Sequence, residues 1–337
     1  MHHEKHDTRH RTRRCAILLL TAALAGCSGD DGSNAPQASA TTVTPAQLCV
    51  AADCGRKETL LRIPDAENIH FTPDGRLFVS GANVFEVRRT DSTWSARALL
   101  ADNGNFTGLA QIGDTLYAAS FDGGLYAADL RSAEPVLALI HDTGFGSANG
   151  LADGPDGELY LVNSSLSGTL LPPLAPQIAR LRLAPGKPMQ VAEQTTWLGS
   201  GLLMPNGIQR RGSTLYFTDS RLLPPALGLL RSVEILADGS AGKVSDIGSL
   251  PSVPDDFALV GDHFLMALYS GNAVALMAPD GRIVSQTGPG SFLGASSVET
   301  GRPPLFAPTD IVVTEKGLIG DTFSPIGNVL SVYRRRE

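Results

Sequence analysis

The chain has 337 residues, 27 Lys and Arg against 34 Asp and Glu, and a formal net charge of −7. Removing a leader over residues 1–26, with its five Lys/Arg and two Asp/Glu, leaves 22 against 32 and a body near −10, which argues against nucleic acid as a partner. With 36 Gly, 22 Pro and many short apolar runs but no long helical period, the composition points to an all-β domain rather than a wound α/β sheet.

Residues 1–26 read as a processing segment. A polar, basic start (MHHEKHDTRHRTRR) precedes an apolar core (CAILLLTAALA) that is too short to span a bilayer as a permanent helix. Leu24-Ala25-Gly26-Cys27 has the form of a bacterial lipobox, so residues 1–26 are expected to be a lipoprotein signal peptide and Cys27 the lipid-attachment site. An ordinary secretory signal with a chance cysteine is the competing reading. Residues 28–47 (SGDDGSNAPQASATTVTPAQ) are small and polar, cannot repay their ordering entropy, and together with Cys27 form a flexible tether over 27–47. The expected location is the bacterial cell envelope, facing the periplasm. Ser28 is not the aspartate that retains such proteins in the inner membrane, which favours the outer membrane.

The body spans 48–337 and is expected to be monomeric. Cys15 leaves with the leader and Cys27 carries lipid, so Cys49 and Cys54 (CVAADC) are left to form a local disulfide in an oxidising compartment. Their spacing, with no second Cys or His cluster, disfavours a redox or zinc site.

Six segments of the body share one order: a polar residue, a small or polar residue, an apolar strand, a turn and a second apolar strand. They begin at Glu67 (ENIHFTPDGRLFVSG), Thr107 (TGLAQIGDTLYAAS), Asn149 (NGLADGPDGELYLVNS), Asn206 (NGIQRRGSTLYFTDS), Asp255 (DDFALVGDHFLMALYS) and Thr309 (TDIVVTEKGLIGDT). The spacings of 40, 42, 57, 49 and 54 residues are those of four-stranded blades, which predicts a six-bladed β-propeller; a β-sandwich would lack the common period. The sixth unit has room for only three strands, and Thr59–Ile63 (TLLRI) could pair with it to close the ring.

In a propeller the inner strands start at the central axis, so Glu67, Thr107, Asn149, Asn206, Asp255 and Thr309 are expected to converge there. The Asn-Gly pairs at 149 and 206 are also tight-turn signals, because both residues tolerate positive φ. Oxygen side chains including two carboxylates would repel one another unless neutralised. Lacking thiolate and imidazole, the set suits a divalent cation, calcium above magnesium, held by Glu67, Asn149, Asn206 and Asp255, with Thr107 and Thr309 lining the axial pocket. A wet polar channel is the alternative.

Glu67, Asn149, Asn206 ahead of LYFTDS, and Pro254-Asp255 ahead of another strand resemble the senescence marker protein/gluconolactonase family over residues 59–334, with paraoxonases and strictosidine synthase-like proteins as more distant kin. The resemblance implies a central cation on Glu67, Asn206 and Asp255, with Asn149 touching substrate or metal, and hydrolysis of lactones or related esters. The cation would polarise the carbonyl while Asp255, assigned as catalytic together with Asn149, takes a proton from water. A carboxylate beside a cation is a weak base, which stands against that role.

Two positions depart from the family. Thr107 stands where paraoxonases carry a histidine, so a histidine dyad is not supported, and Ser147 stands where gluconolactonase-type members carry an arginine, which disfavours sugar-acid lactones. His70, His141 and His263 are not singled out by spacing, and no GxSxG elbow is present. Leu/Pro-rich insertions at 165–177 and 221–230 follow the second strands of two units and would form either a local cover or a hydrophobic substrate wall. The rival to a hydrolase is a binding propeller with a structural cation.

Overall fold

Gly-containing turns cut the apolar runs into short strands. Pro73-Asp74-Gly75 turns the first pair, with Gly75 at φ 86° and the Thr72 hydroxyl oxygen accepting the Arg76 amide at 2.9 Å. The computed structural model describes residues 43–164, 176–221, 227–317 and 324–336. The leader, Cys27, the tether as far as residue 42 and the rim stretches 165–175 and 222–226 lie outside the described residues.

Among the described residues, 24 strands form six four-stranded antiparallel sheets, the blades of a six-bladed propeller. Blade 1 comprises β2 (Ile69–Phe71), β3 (Leu77–Ser80), β4 (Val84–Thr90) and β5 (Thr93–Ala98). Blade 2 comprises β6 (Phe106–Ile112), β7 (Thr115–Ser120), β8 (Gly124–Asp129) and β9 (Ala138–Asp142). Blade 3 holds β10 (Ala148–Asp153), β11 (Leu159–Asn163), β12 (Gln177–Ala184) and β13 (Lys187–Leu198), and blade 4 holds β14 (Ile208–Arg211), β15 (Thr214–Arg221), β16 (Leu227–Glu234) and β17 (Ser245–Leu250). Blade 5 holds β18 (Phe257–Val260), β19 (His263–Leu268), β20 (Ala273–Met277) and β21 (Ile283–Gln286). Blade 6 is built from β22 (Ala295–Thr300), β23 (Ile311–Glu315), β24 (Val329–Arg335) and the first strand of the chain, β1 (Gly55–Arg62).

Burial falls from the axis outward, so β3, β7 and β23 are buried at every residue whereas β5 and β9 are largely exposed. The apolar core lies between blades, because each sheet has two faces and both must be covered. Phe78 and Val84 of blade 1 pack on Leu116 and Ala118 of blade 2, and Leu230 of blade 4 packs on Phe257 and Phe264 of blade 5. The seam between blades 6 and 1 joins Val312, Leu330 and Val332 to Ile69, Leu77 and Val79. Each fully buried Leu, Val, Ile or Phe contributes about 1.5–3 kcal/mol, so every seam carries substantial stabilisation.

β1 pairs antiparallel with β24, from Gly55 opposite Arg335 to Arg62 opposite Val329. Lys57 on β1 adds an ion pair to Glu315 at 3.0 Å, and the nearly inaccessible Glu315 carboxylate also accepts the Ser331 hydroxyl at 2.5 Å and the Leu293 amide at 2.7 Å. Cys49 and Cys54 are disulfide-bonded, with Cα atoms 5.7 Å apart.

Three expectations change. The ordered body begins earlier than residue 48: Pro45–Gln47 form a 3-10 turn and Val43 packs against the blade 5–blade 6 core. Residues 227–230 are not loop but the start of β16, with Leu230 fully buried. The sixth blade is also out of phase with the sequence reading. Its inner strand is β22 (ASSVET), and TDIVV contributes the second strand, so Thr309 lies exposed in the connection between them and does not line the axis.

Candidate functional site

Each inner strand is entered by a polar residue: Glu67, Thr107, Asn149, Asn206, Asp255 and, in blade 6, Ser296. Hydrogen bonds from adjacent blades register these positions in one ring. Ser80 Oγ donates to Thr107 O at 2.5 Å, Thr107 Oγ1 to Asn149 O at 3.3 Å, and Thr218 Oγ1 to Asp255 O at 2.5 Å. The Asp256 amide donates to Ser296 O at 3.0 Å, and Thr314 Oγ1 to Glu67 O at 2.5 Å. The hydroxyls on the second strands thus satisfy the inner carbonyls of the next blade.

The Asn-Gly pairs turn out not to be turns. Neither Asn206 nor Gly207 has positive φ, nor do Asn149 and Gly150, which lie within β10. These glycines serve close approach instead: a Cβ on Gly150 would sit 2.3 Å from Asn206 O, and one on Gly207 would sit 2.4 Å from the Asp256 carboxylate and 2.8 Å from Asp255 O. The blades touch backbone to backbone here, which brings Asn149, Asn206 and Asp255 side by side.

Two ring members are spent on scaffolding. Thr107 Oγ1 lies 3.1 Å from Ala148 O and 3.3 Å from Asn149 O, and Ser296 Oγ lies 2.9 Å from Ala66 O and 3.1 Å from Glu67 O. The Thr107 hydroxyl is therefore committed to the neighbouring blade. The remaining four, Glu67, Asn149, Asn206 and Asp255, are the predicted ligand set. Glu67, Asn149 and Asp255 are buried and Asn206 is partly exposed.

Burial pushes the Asp255 carboxyl well above the usual carboxylate range, and the neighbouring Glu67 adds to the push while Lys316 and a hydrogen bond from Asn206 oppose it. Glu67 is also raised by burial, opposed by Lys316. Lys316, placed just after β23, reaches Glu67 Oε2 at 2.7 Å and Asp65 Oδ1 at 3.1 Å with only 13% of its side chain accessible. Burial opposes its charge, but the two carboxylates outweigh that and raise its pKa. We assign the ionised pair, because one ammonium between two carboxylates within 3.1 Å is better stabilised charged than neutral. Tyr269 borders the cluster, donating to Gly317 O at 2.7 Å, with its phenol pushed up to about 12 by burial and by Asp255 and Glu67.

The donors fit a hard divalent cation. All four candidate ligands offer oxygen, and three carboxyl groups (Asp65, Glu67, Asp255) share one ammonium (Lys316), so the raised Asp255 carboxyl is the group whose ionised form a cation would stabilise. Among the described residues no group of three or more His, Cys, Asp or Glu is arranged to hold a metal, so the candidate cage depends on the two carboxamides.

Asp65, Tyr269, Ser296 and Lys316 escaped the sequence reading. Lys316 stands in TEKG, which resembles a hairpin turn once blade 6 is read out of phase. Asp256, next to Asp255, is buried between blades; Asn68 Nδ2 of blade 1 at 2.9 Å and Ser297 Oγ of blade 6 at 3.0 Å donate to it, and burial raises it to about 6. The histidines are structural or peripheral: His70 is within 3.0 Å of Gln111, His141 within 2.8 Å of Gln194, and His263 beside Asp262.

A surface depression of about 550 Å³ between Glu58, Trp94, Phe306 and Arg334 lies at the seam of blades 6 and 1 and contains none of the axial residues. Another, of about 530 Å³, is lined by Gln177, Thr196 and residues 199–202, beside the segment that leads into Asn206.

No protein-family model matches the chain, and no curated protein matches it in sequence. Solved structures do match. A gluconolactonase from Xanthomonas campestris is 18% identical with a TM-score of 0.62, over 88% of this chain and 94% of that one. Regucalcin from Agrobacterium tumefaciens, a calcium-binding protein, is 17% identical with a TM-score of 0.63, over 86% and 98%. A luciferin-regenerating enzyme is 12% identical with a TM-score of 0.63, over 83% and 95%. The chain thus shares the six-bladed propeller architecture of gluconolactonase, regucalcin and the luciferin-regenerating enzyme.

Proposed function

We propose that the chain is a divalent-cation-dependent hydrolase of lactones or related esters, with its site at the axial ring. The observation that carries this is the placement of the oxygen side chains Glu67, Asn149, Asn206 and Asp255 at equivalent positions of blades 1, 3, 4 and 5. Likeness in fold to a gluconolactonase and to a calcium-binding regucalcin supports the same reading.

Glu67, Asn149, Asn206 and Asp255 would hold the cation, calcium by the hardness of the donors. When bound, it supplies Lewis-acid polarisation of an ester carbonyl. Asn149 orients that carbonyl through its carboxamide. Asp255, held by the Asn206 hydrogen bond, accepts the proton as the water oxygen bonds to the carbonyl carbon; the acyl C–O bond then breaks and the leaving alkoxide takes the proton. The Leu/Pro-rich sequence at 165–177 favours apolar acyl or aromatic substrates.

The test is hydrolysis of a panel of aliphatic and aromatic lactones and esters by the purified chain with calcium or with chelator, alongside Asp255→Ala. Turnover lost in chelator and in the variant, with melting unchanged, supports the reading; turnover indifferent to chelator overturns it. One observation favours the rival binding propeller with a structural cation: Lys316 already compensates Glu67. Absence of turnover with a melting temperature that collapses in chelator would select that reading.

The Leu24-Ala25-Gly26-Cys27 sequence supports export, lipid attachment at Cys27 and a periplasm-facing position on the outer membrane. Metabolic labelling with palmitate, abolished by Cys27→Ser, and membrane fractionation test the attachment and the location.

A further inference from the structure

We propose that Lys316 is an internal counter-ion that competes with the divalent cation for Glu67 and keeps the ring folded when the cation leaves. The inference rests on the cation-site reading and assigns the regulation of that same site.

The geometry is specific. Lys316 Nζ is 2.7 Å from Glu67 Oε2 and 3.1 Å from Asp65 Oδ1, while the Glu67 backbone is tied to blade 6 through Thr314 Oγ1 at 2.5 Å. A cation on Glu67 therefore meets an ammonium already bonded to the same carboxylate, and like charges held this close in a poorly solvated pocket repel strongly. Asp65 offers the ammonium a second partner, so Lys316 can yield Glu67 without losing its ion pair. Asp65 is itself fixed for that purpose, buried, at φ 57° and with its amide donating to Asn328 Oδ1 at 2.6 Å.

The same contact bridges blades. Lys316 follows β23 of blade 6, whereas Asp65 and Glu67 lead into β2 of blade 1. With the ammonium in place, the seam is not left with unpaired carboxylates when the cation departs. The exchange of one counter-ion for the other makes cation binding weaker than the donor set alone would give, and reversible without unfolding.

The test is calorimetric titration of the full chain with calcium chloride, comparing wild type with Lys316→Met and Lys316→Arg, alongside melting curves with calcium and with chelator. The expected result is calcium affinity higher by about 10-fold or more in Lys316→Met, from loss of a competing charge, and within about threefold of wild type in Lys316→Arg, where the charge is kept. Lys316→Met should also show a larger drop in melting temperature on chelation than wild type. If Lys316→Met fails to fold, Lys316→Gln takes its place. Equal or weaker calcium binding by the uncharged variant overturns the proposal while leaving the cation site standing. No calcium binding by either protein overturns both.

Discussion

Asp219→Ala tests how Asn206 is delivered to the axis. The Asp219 side chain in β15 is fully buried and accepts four donors: the amides of Met204 at 2.7 Å, Ser220 at 3.0 Å and Leu203 at 3.1 Å, and Arg231 Nη1 at 2.8 Å. Arg231 also donates to Gly201 O at 2.6 Å, so the carboxylate and guanidinium together pin the segment that enters Asn206. Truncation leaves Arg231, with 14% of its side chain accessible, only the exposed Asp246 as a carboxylate partner beside the Gly201 carbonyl, and strips the Leu203 and Met204 amides of their acceptor. Removing one partner of a buried pair costs about 3–5 kcal/mol, and at ~2 °C per kcal/mol for a chain of this size the melting temperature falls by ~6–10 °C. Differential scanning calorimetry measures the loss, and hydrogen exchange should show faster exchange over residues 201–206. A shift below ~2 °C, or unchanged exchange there, would refute the idea that Asp219 positions Asn206.

Gly150→Ala would place a Cβ 2.3 Å from Asn206 O, a backbone atom of the adjacent blade that cannot swing aside, so a loss of about 1–3 kcal/mol in chemical denaturation and weaker calcium binding are expected. The Glu299 carboxyl is raised to about 7 by burial, opposed by Arg302. A carboxyl raised in the folded state binds its proton more tightly than in the unfolded chain, so stability falls as pH rises from about 4.5 to about 7. Glu299→Gln should flatten that slope and leave the variant ~1–3 kcal/mol more stable than wild type at pH 8, less if solvent along the axis screens the charge. Cys54→Ser opens a disulfide that closes a loop of sequence separation 5. Chain entropy for so short a loop gives ~2 kcal/mol, or a melting-temperature drop of ~4 °C, and adding reductant to wild type should reproduce it.

The repeat was legible because it is local. Alternation, PDG and GD turns and a near-constant blade length are all properties of neighbouring residues, and they predict six four-stranded blades without any long-range information. The axial positions of four oxygen side chains were legible for the same reason: Glu67, Asn149, Asn206 and Asp255 each stand at one fixed offset before an apolar strand. The phase of blade 6 was not. β22 (ASSVET) has small polar residues where the other inner strands are apolar, so IVVTE looked like the first strand; only pairing with β24, itself closed by β1 from the far end of the chain, sets the order.

The Asn-Gly pairs show where local signals mislead. Asn206-Gly207 has the chemistry of a turn, yet its glycine is required by the neighbouring blade's backbone, a contact no window of sequence contains. Lys316 shows it more fully: its ion pair with Glu67 joins residues 249 positions apart, and a lysine after a strand is ordinarily a solvated surface charge. The sequence by itself determined the blades, the disulfide and the axial placement of Glu67, Asn149, Asn206 and Asp255, because these follow from short-range period and residue chemistry. The tertiary structure alone decided the phase of the sixth blade, the sixth axial residue and the ammonium beside Glu67, because closing a ring brings distant residues together through packing that short-range pattern does not encode.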